Sequence, residues 1–404
     1  MYAAVASLVA LGGCSNDDEL ETQMNQQASE EGVEVISDPV EIRLGTPGVN
    51  FLTRAAFEGD ADGFDLGVFC LAREKQYVNH SAQDILWWNT EVDPLWSATF
   101  CLLDNVESTK SGGNIFWKDG EHRYYPFTQF YSYDFYAYYP YVSDDDEENT
   151  IVRKEEAGNN VVEVTYTNLD GKTDILWGRA TSSELYAYSS KYFRQPGNQD
   201  MVPIVQLDHM LTRLIFRVVP GESYVGSGDY TAAHQVTVAG LKVQNVVKKA
   251  TLLVADYNRD SANEHGTETV VGTDEPDRLV ADYDVRHTVS LCGADGEPFE
   301  PVLVSDNPLE FRQLGESLLL YPEHKYVLDF ELRDADGNLL IKDNPLELIY
   351  PRDDASDYVF KAGCQYIITI EVHGPKEIEV KAELTDWQDA GLTPEEQDDV
   401  NLEL

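Results

Sequence analysis

Short stretches with an apolar residue at every second position recur along this chain, and helical periodicity is scarce. They cover residues 33–44, 64–72, 133–139, 161–167, 211–219, 235–243, 288–291, 317–320, 326–332, 365–372 and 378–384, with turn-forming residues between them. Asp336-Gly337 lies between two such runs and reads as a hairpin turn. A strand that alternates in this way has one apolar face, and a sheet of such strands must cover that face with another layer. Many short antiparallel strands without long helices predict an all-β protein built of β-sandwiches.

A length of 404 residues suits two domains. The turn-rich segment Gln195-Pro196-Gly197-Asn198-Gln199-Asp200 precedes a fresh strand system, so the expected edge falls near residue 205. One sandwich is expected over 33–205 and a second over 206–404. Hydrophobic residues at 42% and aromatics at 11% supply two cores, although 73 acidic residues stand against 29 basic ones. The resulting net charge of −44 repels phosphates, which argues against nucleic acid or an anionic lipid surface as a main partner. No apolar run reaches the roughly 18 residues that a spanning helix needs.

The N-terminus carries a different signal. Residues 2–13 are apolar, too few to span a bilayer, and end in Leu11-Gly12-Gly13-Cys14. Small residues directly before a cysteine predict a lipoprotein signal over 1–14, with Cys14 as the acylated residue and new N-terminus. The acidic run Ser15-Asn16-Asp17-Asp18-Glu19 is similar to the surface-export tag of Bacteroidota lipoproteins. The polar, aperiodic stretch 15–32 reads as an acidic flexible tether. One acyl chain holds a protein only marginally, but lipoproteins carry several, which implies anchoring in the outer membrane.

Signs of catalysis are weak. The sequence contains no Gly-x-Ser-x-Gly, no His-Glu-x-x-His and no phosphate loop. His209 lies beside an apolar run and reads as a structural histidine rather than a base. Cys70, Cys101, Cys292 and Cys364 are not spaced for zinc and lie in apolar strand contexts, which favours buried thiols over disulfides. The run Asp144-Asp145-Asp146-Glu147-Glu148-Asn149 reads as a solvated loop rather than a calcium site. The aromatic belt 124–141 alternates, so half of it is expected in a core; the remainder is a candidate glycan platform. Neither an enzyme, a cofactor nor a metal is expected.

Three phrases and their order carry a resemblance. They are Phe135-Tyr136-Ala137-Tyr138-Tyr139-Pro140, Leu207-Asp208-His209-Met210-Leu211-Thr212-Arg213-Leu214-Ile215-Phe216, and Phe360-Lys361-Ala362-Gly363-Cys364-Gln365-Tyr366-Ile367-Ile368-Thr369-Ile370, followed by Asp386-Trp387. With the lipoprotein start, the chain resembles the fimbrillin family, the type V pilus subunits of Bacteroidota, over nearly its whole length.

The resemblance implies two transthyretin-like Greek-key β-sandwich domains in tandem, in a lipoprotein precursor matured by an arginine-specific protease. It also implies that cutting removes an N-terminal strand and that a strand of the next subunit fills the gap. Onto this sequence, the removed strand maps to Val40, Ile42 and Leu44, and the cut to the bond between Arg54 and Ala55, with Arg43 as second choice. The donor strand maps to the alternating Val400, Leu402 and Leu404. Implied partners are other copies of the chain, accessory fimbrial subunits, the protease and a host glycan or protein receptor. The implied location is the outer membrane for the precursor and an extracellular fimbrium afterwards. A shaft subunit is the main reading; an anchor or tip subunit and a surface glycan-binding lipoprotein are the alternatives.

Overall fold

The computed structural model describes residues 39–46, 63–78, 81–87, 101–126, 131–156, 159–182, 186–221, 235–256, 260, 278–307, 309–341, 345–349, 360–374 and 377–385. The fold is all-β, as the alternation predicts, with a single short helix, α1 (Ser190–Phe193), among the described residues. All the described strands belong to one compact unit, which runs from Glu41 onward.

The first sheet contains β1 (Leu44–Gly45), β2 (Asp65–Val78), β3 (Ser81–Trp87), β4 (Cys101–Ser111), β5 (Asn114–Trp117), β6 (Tyr131–Tyr139), β9 (Leu176–Ala180) and β10 (Gln206–His209). Its order is β1-β5-β4-β2-β6-β9-β10, with β3 paired to β2. A parallel bridge from Gly45 to Ile204, just ahead of β10, joins the two ends of this path. The sheet therefore closes on itself, as barrels do to remove their edges.

Cross-strand register sorts its side chains. Val68, Cys70 and Ala72 stand opposite Ala137, Phe135 and Tyr133 on one face; Phe69 and Leu71 stand opposite Tyr136 and Asp134 on the other. All ten are buried. The second face is covered by another sheet, made of β7 (Thr150–Glu156), β8 (Asn159–Tyr166), β13 (Ala250–Asp256) and β14 (Leu279–Ala281), in the order β14-β13-β8-β7. Phe69, Leu71, Tyr136, Tyr138 and Trp177 pack there with Val162, Val164, Leu252 and Val254. Gly67 lies opposite Tyr138, and a Cβ on it would sit 2.1 Å from the Tyr138 ring, so glycine is required for that ring to lie flat across the strand.

A four-residue charge cluster is buried at this interface. Arg278 pairs with Asp260, and Arg179 with Asp134 at 2.9 Å. The Tyr136 hydroxyl donates to Asp260 at 3.0 Å, Thr181 donates to Asp134 at 2.7 Å, and the Arg278 guanidinium lies 4.0 Å over the Trp177 ring. Two cations and two anions compensate each other, which is what makes their burial tolerable.

The remaining strands form a sandwich. One layer is β17-β11-β21-β22, from β11 (Thr212–Pro220), β17 (Arg312–Leu320), β21 (Gln365–Gly374) and β22 (Glu377–Thr385). The other is β15-β12-β18-β19, from β12 (Thr237–Val247), β15 (Arg286–Ser290), β18 (Lys325–Arg333) and β19 (Leu339–Ile341). Here β16 (Val302–Leu303) pairs with β12, and β20 (Leu346–Ile349) with β18. Leu214, Phe216, Tyr366 and Ile368 face Val238, Val243, Leu328 and Phe330 in its core. The turn after β18 carries Asp336-Gly337 as expected, with Gly337 at φ 81° and Asp334 accepting from the Asn338 amide at 2.8 Å.

The change of sheet falls between His209 and Thr212. However, β13 and β14, which come after β12 in the chain, pair back with β8. At the junction Arg213 is buried, donating to Ser317 at 3.0 Å and Gln365 at 2.9 Å, and desolvation pulls its guanidinium down to about 10.

Buried polar groups of this kind make the stability sensitive to single changes. Removing one partner of a buried ion pair strands the other, so Asp260→Ala is expected to cost about 3–5 kcal/mol. The combined Asp260→Leu and Arg278→Met change is expected to recover most of that loss, read as urea midpoints. His287 is a second case: its Nε2 is buried with no hydrogen-bond partner among the described residues, and burial, with nearby Lys248, holds the imidazole below its ordinary 6.5. The unfolded chain then binds the proton more readily than the folded one. The stability is complete above pH 6.5 and is lost as pH falls from there to the folded value. His287→Gln is expected to flatten the fall in urea midpoint between pH 7.5 and 5.5.

Candidate functional site

The seam where the first sheet closes is occupied by Glu41–Thr46. Ile42 and Leu44 point inward and are only 2% and 1% exposed, while Arg43 between them is exposed. This is the alternation read from the sequence. The regular strand is shorter than the expected one: β1 covers Leu44 and Gly45, with an isolated bridge from Glu41 to Tyr124, and residues 33–38 lie outside the described residues. Val40 is half-buried.

Two separate edges hold this segment. On one side, Leu44 and Gly45 register with Ile115 and Asn114 in antiparallel sense. The Ile42 amide donates to the Arg123 carbonyl at 2.7 Å, and the Thr46 amide to the Gly113 carbonyl at 3.0 Å. On the other side the sense is parallel: the Gly45 amide donates to the Pro203 carbonyl at 2.9 Å, and the Val205 amide donates to the Gly45 carbonyl at 2.8 Å. Glu41 also meets the His122 ring.

Beside the seam lies an aromatic cluster. Tyr125 adjoins Tyr124, which is bridged to Glu41, and packs against Tyr133, Phe135 and Phe193 with ring centroids 5.9, 6.3 and 5.3 Å away. Phe193 belongs to α1, whose N-terminus is capped by the Ser189 hydroxyl accepting from the Tyr192 amide at 3.2 Å. Burial pushes the Tyr125 phenol far up, and its hydroxyl has no partner among the described residues. Outside the seam, the side chains of Tyr124, Ile204 and Met201 are exposed.

Such an arrangement suits strand binding. Without residues 41–46, the carbonyls of Gly113, Arg123 and Pro203 and the amide of Val205 would lose their partners, and the volumes of Ile42 and Leu44 would stand open. Each stranded backbone group costs about 1–3 kcal/mol when water cannot reach it. Strand addition meets the backbone demand and fills alternate pockets in one step.

Other sequence candidates fall elsewhere. Cys14, Arg54, Ala55, Val400, Leu402 and Leu404 lie outside the described residues. His209 is structural: its Nδ1 meets the Asp174 carboxylate at 2.5 Å beside the junction. The four cysteines are free thiols, and burial pushes those of Cys70 and Cys101 up. Asp144 pairs with Arg153 at 2.9 Å, and Asp146 accepts from the Glu148 and Asn149 amides within its own turn. Tyr133, Phe135, Tyr136 and Tyr138 are all fully buried, so both faces of the aromatic strand are core, where one outward face was a candidate glycan platform. Where β2 and β6 pair, the first sheet is buried on both sides, which alternation alone does not reveal.

Sequence reading did not find Gly45, Thr46, Gly113, Pro203 or Val205 as parts of the seam. Gly45 ends the alternation, and the other edge is distant in the chain.

A model of the fimbrillin-like family matches residues 53–387. The chain belongs to the fimbrillin-like family. The match begins after the seam segment and covers the strands that form both of its edges. Among solved structures, this fimbrillin-like chain is similar to a candidate cell-adhesion protein from Bacteroides uniformis, at 13% identity and a TM-score of 0.45, covering 88% of this chain and all of that one. It is also similar to a fimbrial protein from Bacteroides vulgatus, at 14% identity and a TM-score of 0.44, covering 86% and 99%. A third is the C-terminally truncated tip fimbrial protein Mfa3 from Porphyromonas gingivalis, at 10% identity and a TM-score of 0.32, covering 87% and 100%. No curated protein matches the sequence.

Leu44→Ala removes an inward anchor of the seam, a change that costs about 2–5 kcal/mol at a well-packed site. The expected result is faster hydrogen exchange at the Ile42, Gly45, Thr46 and Val205 amides, with little change in the parallel β11–β21 pair. Equal acceleration in both regions would mean that the segment opens only with the whole fold.

Proposed function

We propose that this fimbrillin-like chain is the structural, shaft-type subunit of a surface fimbria and that residues 41–46 are a replaceable strand. The observation that carries this reading is the seam: a short segment with two buried anchors, held by backbone bonds to two edges distant in the chain. In this reading the precursor is exported as a lipoprotein acylated at Cys14. An arginine-specific protease cuts between Arg54 and Ala55, and the segment with Val40, Ile42 and Leu44 leaves. The tail of another copy, with Val400, Leu402 and Leu404 at alternate positions, takes the vacated place. A head-to-tail contact of this kind does not close on itself and so builds a filament. Its two sandwiches, expected at 33–205 and 206–404 but with β13 and β14 of the second half completing the first, would be the two bodies joined along it.

The seam has one antiparallel and one parallel neighbour. A strand entering in the reverse direction would again find one of each, so backbone bonding alone does not fix its polarity. Side chains must do that.

Incubating the purified chain with an arginine-specific protease is expected to give a ladder of heat-stable multimers. Complete cutting at Arg54 with persistent monomer would overturn the shaft reading. Removing residues 396–404 is expected to leave folded monomers that do not extend; ladders from that variant would mean another donor. A chain that resists cutting while keeping its acyl group would be an anchor subunit.

A further inference from the structure

We propose that Ile204 is the register gauge of the seam and selects a strand with a glycine at the place of Gly45. The proposal rests on the strand-replacement reading for its biological use, but its physical basis is a contact already present. A Cβ placed on Gly45 would lie 2.6 Å from Cδ1 of Ile204, so the tip of the Ile204 side chain would have to turn aside to admit it. Val202 Cγ1 and the Gly113 carbonyl oxygen stand 3.8 Å away on the same side. The backbone cannot retreat, because the amide and carbonyl of Gly45 are both bonded to the strand that carries Ile204.

Ile42, Leu44 and Gly45 therefore form a three-point pattern. Two inward anchors separated by one residue would fit equally well after a two-residue slip, since side chains alternate with period two. The glycine removes that ambiguity, because only one register places it under Ile204. It also settles polarity: a reversed strand would present its glycine on the wrong side of the anchors.

The occupant this gauge favours is a strand with the pattern apolar, any, apolar, glycine. Ile42-Arg43-Leu44-Gly45 has it. The tail Val400-Asn401-Leu402-Glu403 of a second copy has the anchors and carries Glu403 at the fourth place in the same register. Ile204 is 51% exposed, so its side chain has room to swing outward. A tail strand must turn it aside, whereas the chain's own segment does not. Ile204 thus biases the uncut chain toward its own strand and delays exchange until that strand is released.

The first experiment needs no polymerisation. Gly45→Val is expected to speed exchange of the Val205 amide about threefold, less than an overpacked core would show because Ile204 is half-exposed, and Ile204→Ala added to it is expected to restore protection. No effect of Gly45→Val, or no restoration by Ile204→Ala, would overturn the gauge. If Gly45→Val does not fold, the Ile204→Ala single variant and the double variant decide: a folded, protected double variant supports the gauge, and an unfolded one overturns it. The second experiment uses chain cut after Arg54 and freed of its N-terminal fragment, with two synthetic peptides spanning residues 39–48 that carry Gly or Val at position 45. The Gly peptide is expected to bind about threefold tighter than the Val peptide to the wild type, and equally to Ile204→Ala. Equal binding to the wild type would overturn the gauge. Binding of neither peptide would count against strand replacement, while the exchange experiment still judges the contact at Ile204.

Discussion

Every strand edge has amides and carbonyls that need partners, and this chain meets that demand in its first sheet by closing the sheet on itself. The closure depends on one short segment. Residues 41–46 are neither long nor strongly apolar, and their hold comes from position: they complete hydrogen bonds on two edges at once and fill the volume beneath. The same position makes the segment replaceable in principle, because it is joined to the rest of the unit through backbone geometry that any strand can reproduce. Specificity then has to reside in side chains: the buried anchors Ile42 and Leu44, and Gly45, where a Cβ would meet Ile204.

Much of this architecture could be read from alternation. The runs at 64–72, 133–139, 161–167, 211–219, 235–243, 326–332, 365–372 and 378–384 all fall within strands apart from at most two residues at an end, because each has a neighbour or core that rewards period two. The strands that were missed break that rule for identifiable reasons. In β9 (Leu176–Ala180) four of five residues are buried, so no polar face marks it. In β4 the alternation is interrupted at Asn105, which adopts φ 51° so that its amide can serve the Val142 carbonyl. β7 has Arg153, Lys154, Glu155 and Glu156 at its end and reads as surface. At the site, the anchors Ile42 and Leu44 were legible, but their partners were not. An edge such as Pro203–Val205 is defined by what lies beside it, and no local pattern records that.

The charge of −44 has a similarly structural meaning. Cutting after Arg54 takes away nine acidic and two basic residues, a net seven negative charges, and leaves −37. The acidity therefore belongs mostly to the part of the chain that forms the sheets. Several basic side chains are already engaged within the fold, as with Lys118 between Asp65 and Glu107. Surfaces of this kind repel one another sideways over about a Debye length, roughly 8 Å at physiological salt. Contacts made through backbone hydrogen bonds and buried apolar anchors escape most of that repulsion.

The return of β13 and β14 to the first half of the molecule conflicts with the order in which the chain is made. The aromatic face built by Phe69, Tyr136, Tyr138 and Trp177 is complete once β10 exists, yet Leu252 and Val254, which cover it, arrive only after β12 of the second sandwich. Any process that delivers the chain from its N-terminus leaves that face with only the β7–β8 part of its cover in the meantime. Nonlocal pairings of this kind form slowly, and open aromatic sheets aggregate. The first sandwich cannot be completed before the chain has passed through β12 of the second, so the two halves share one folding step.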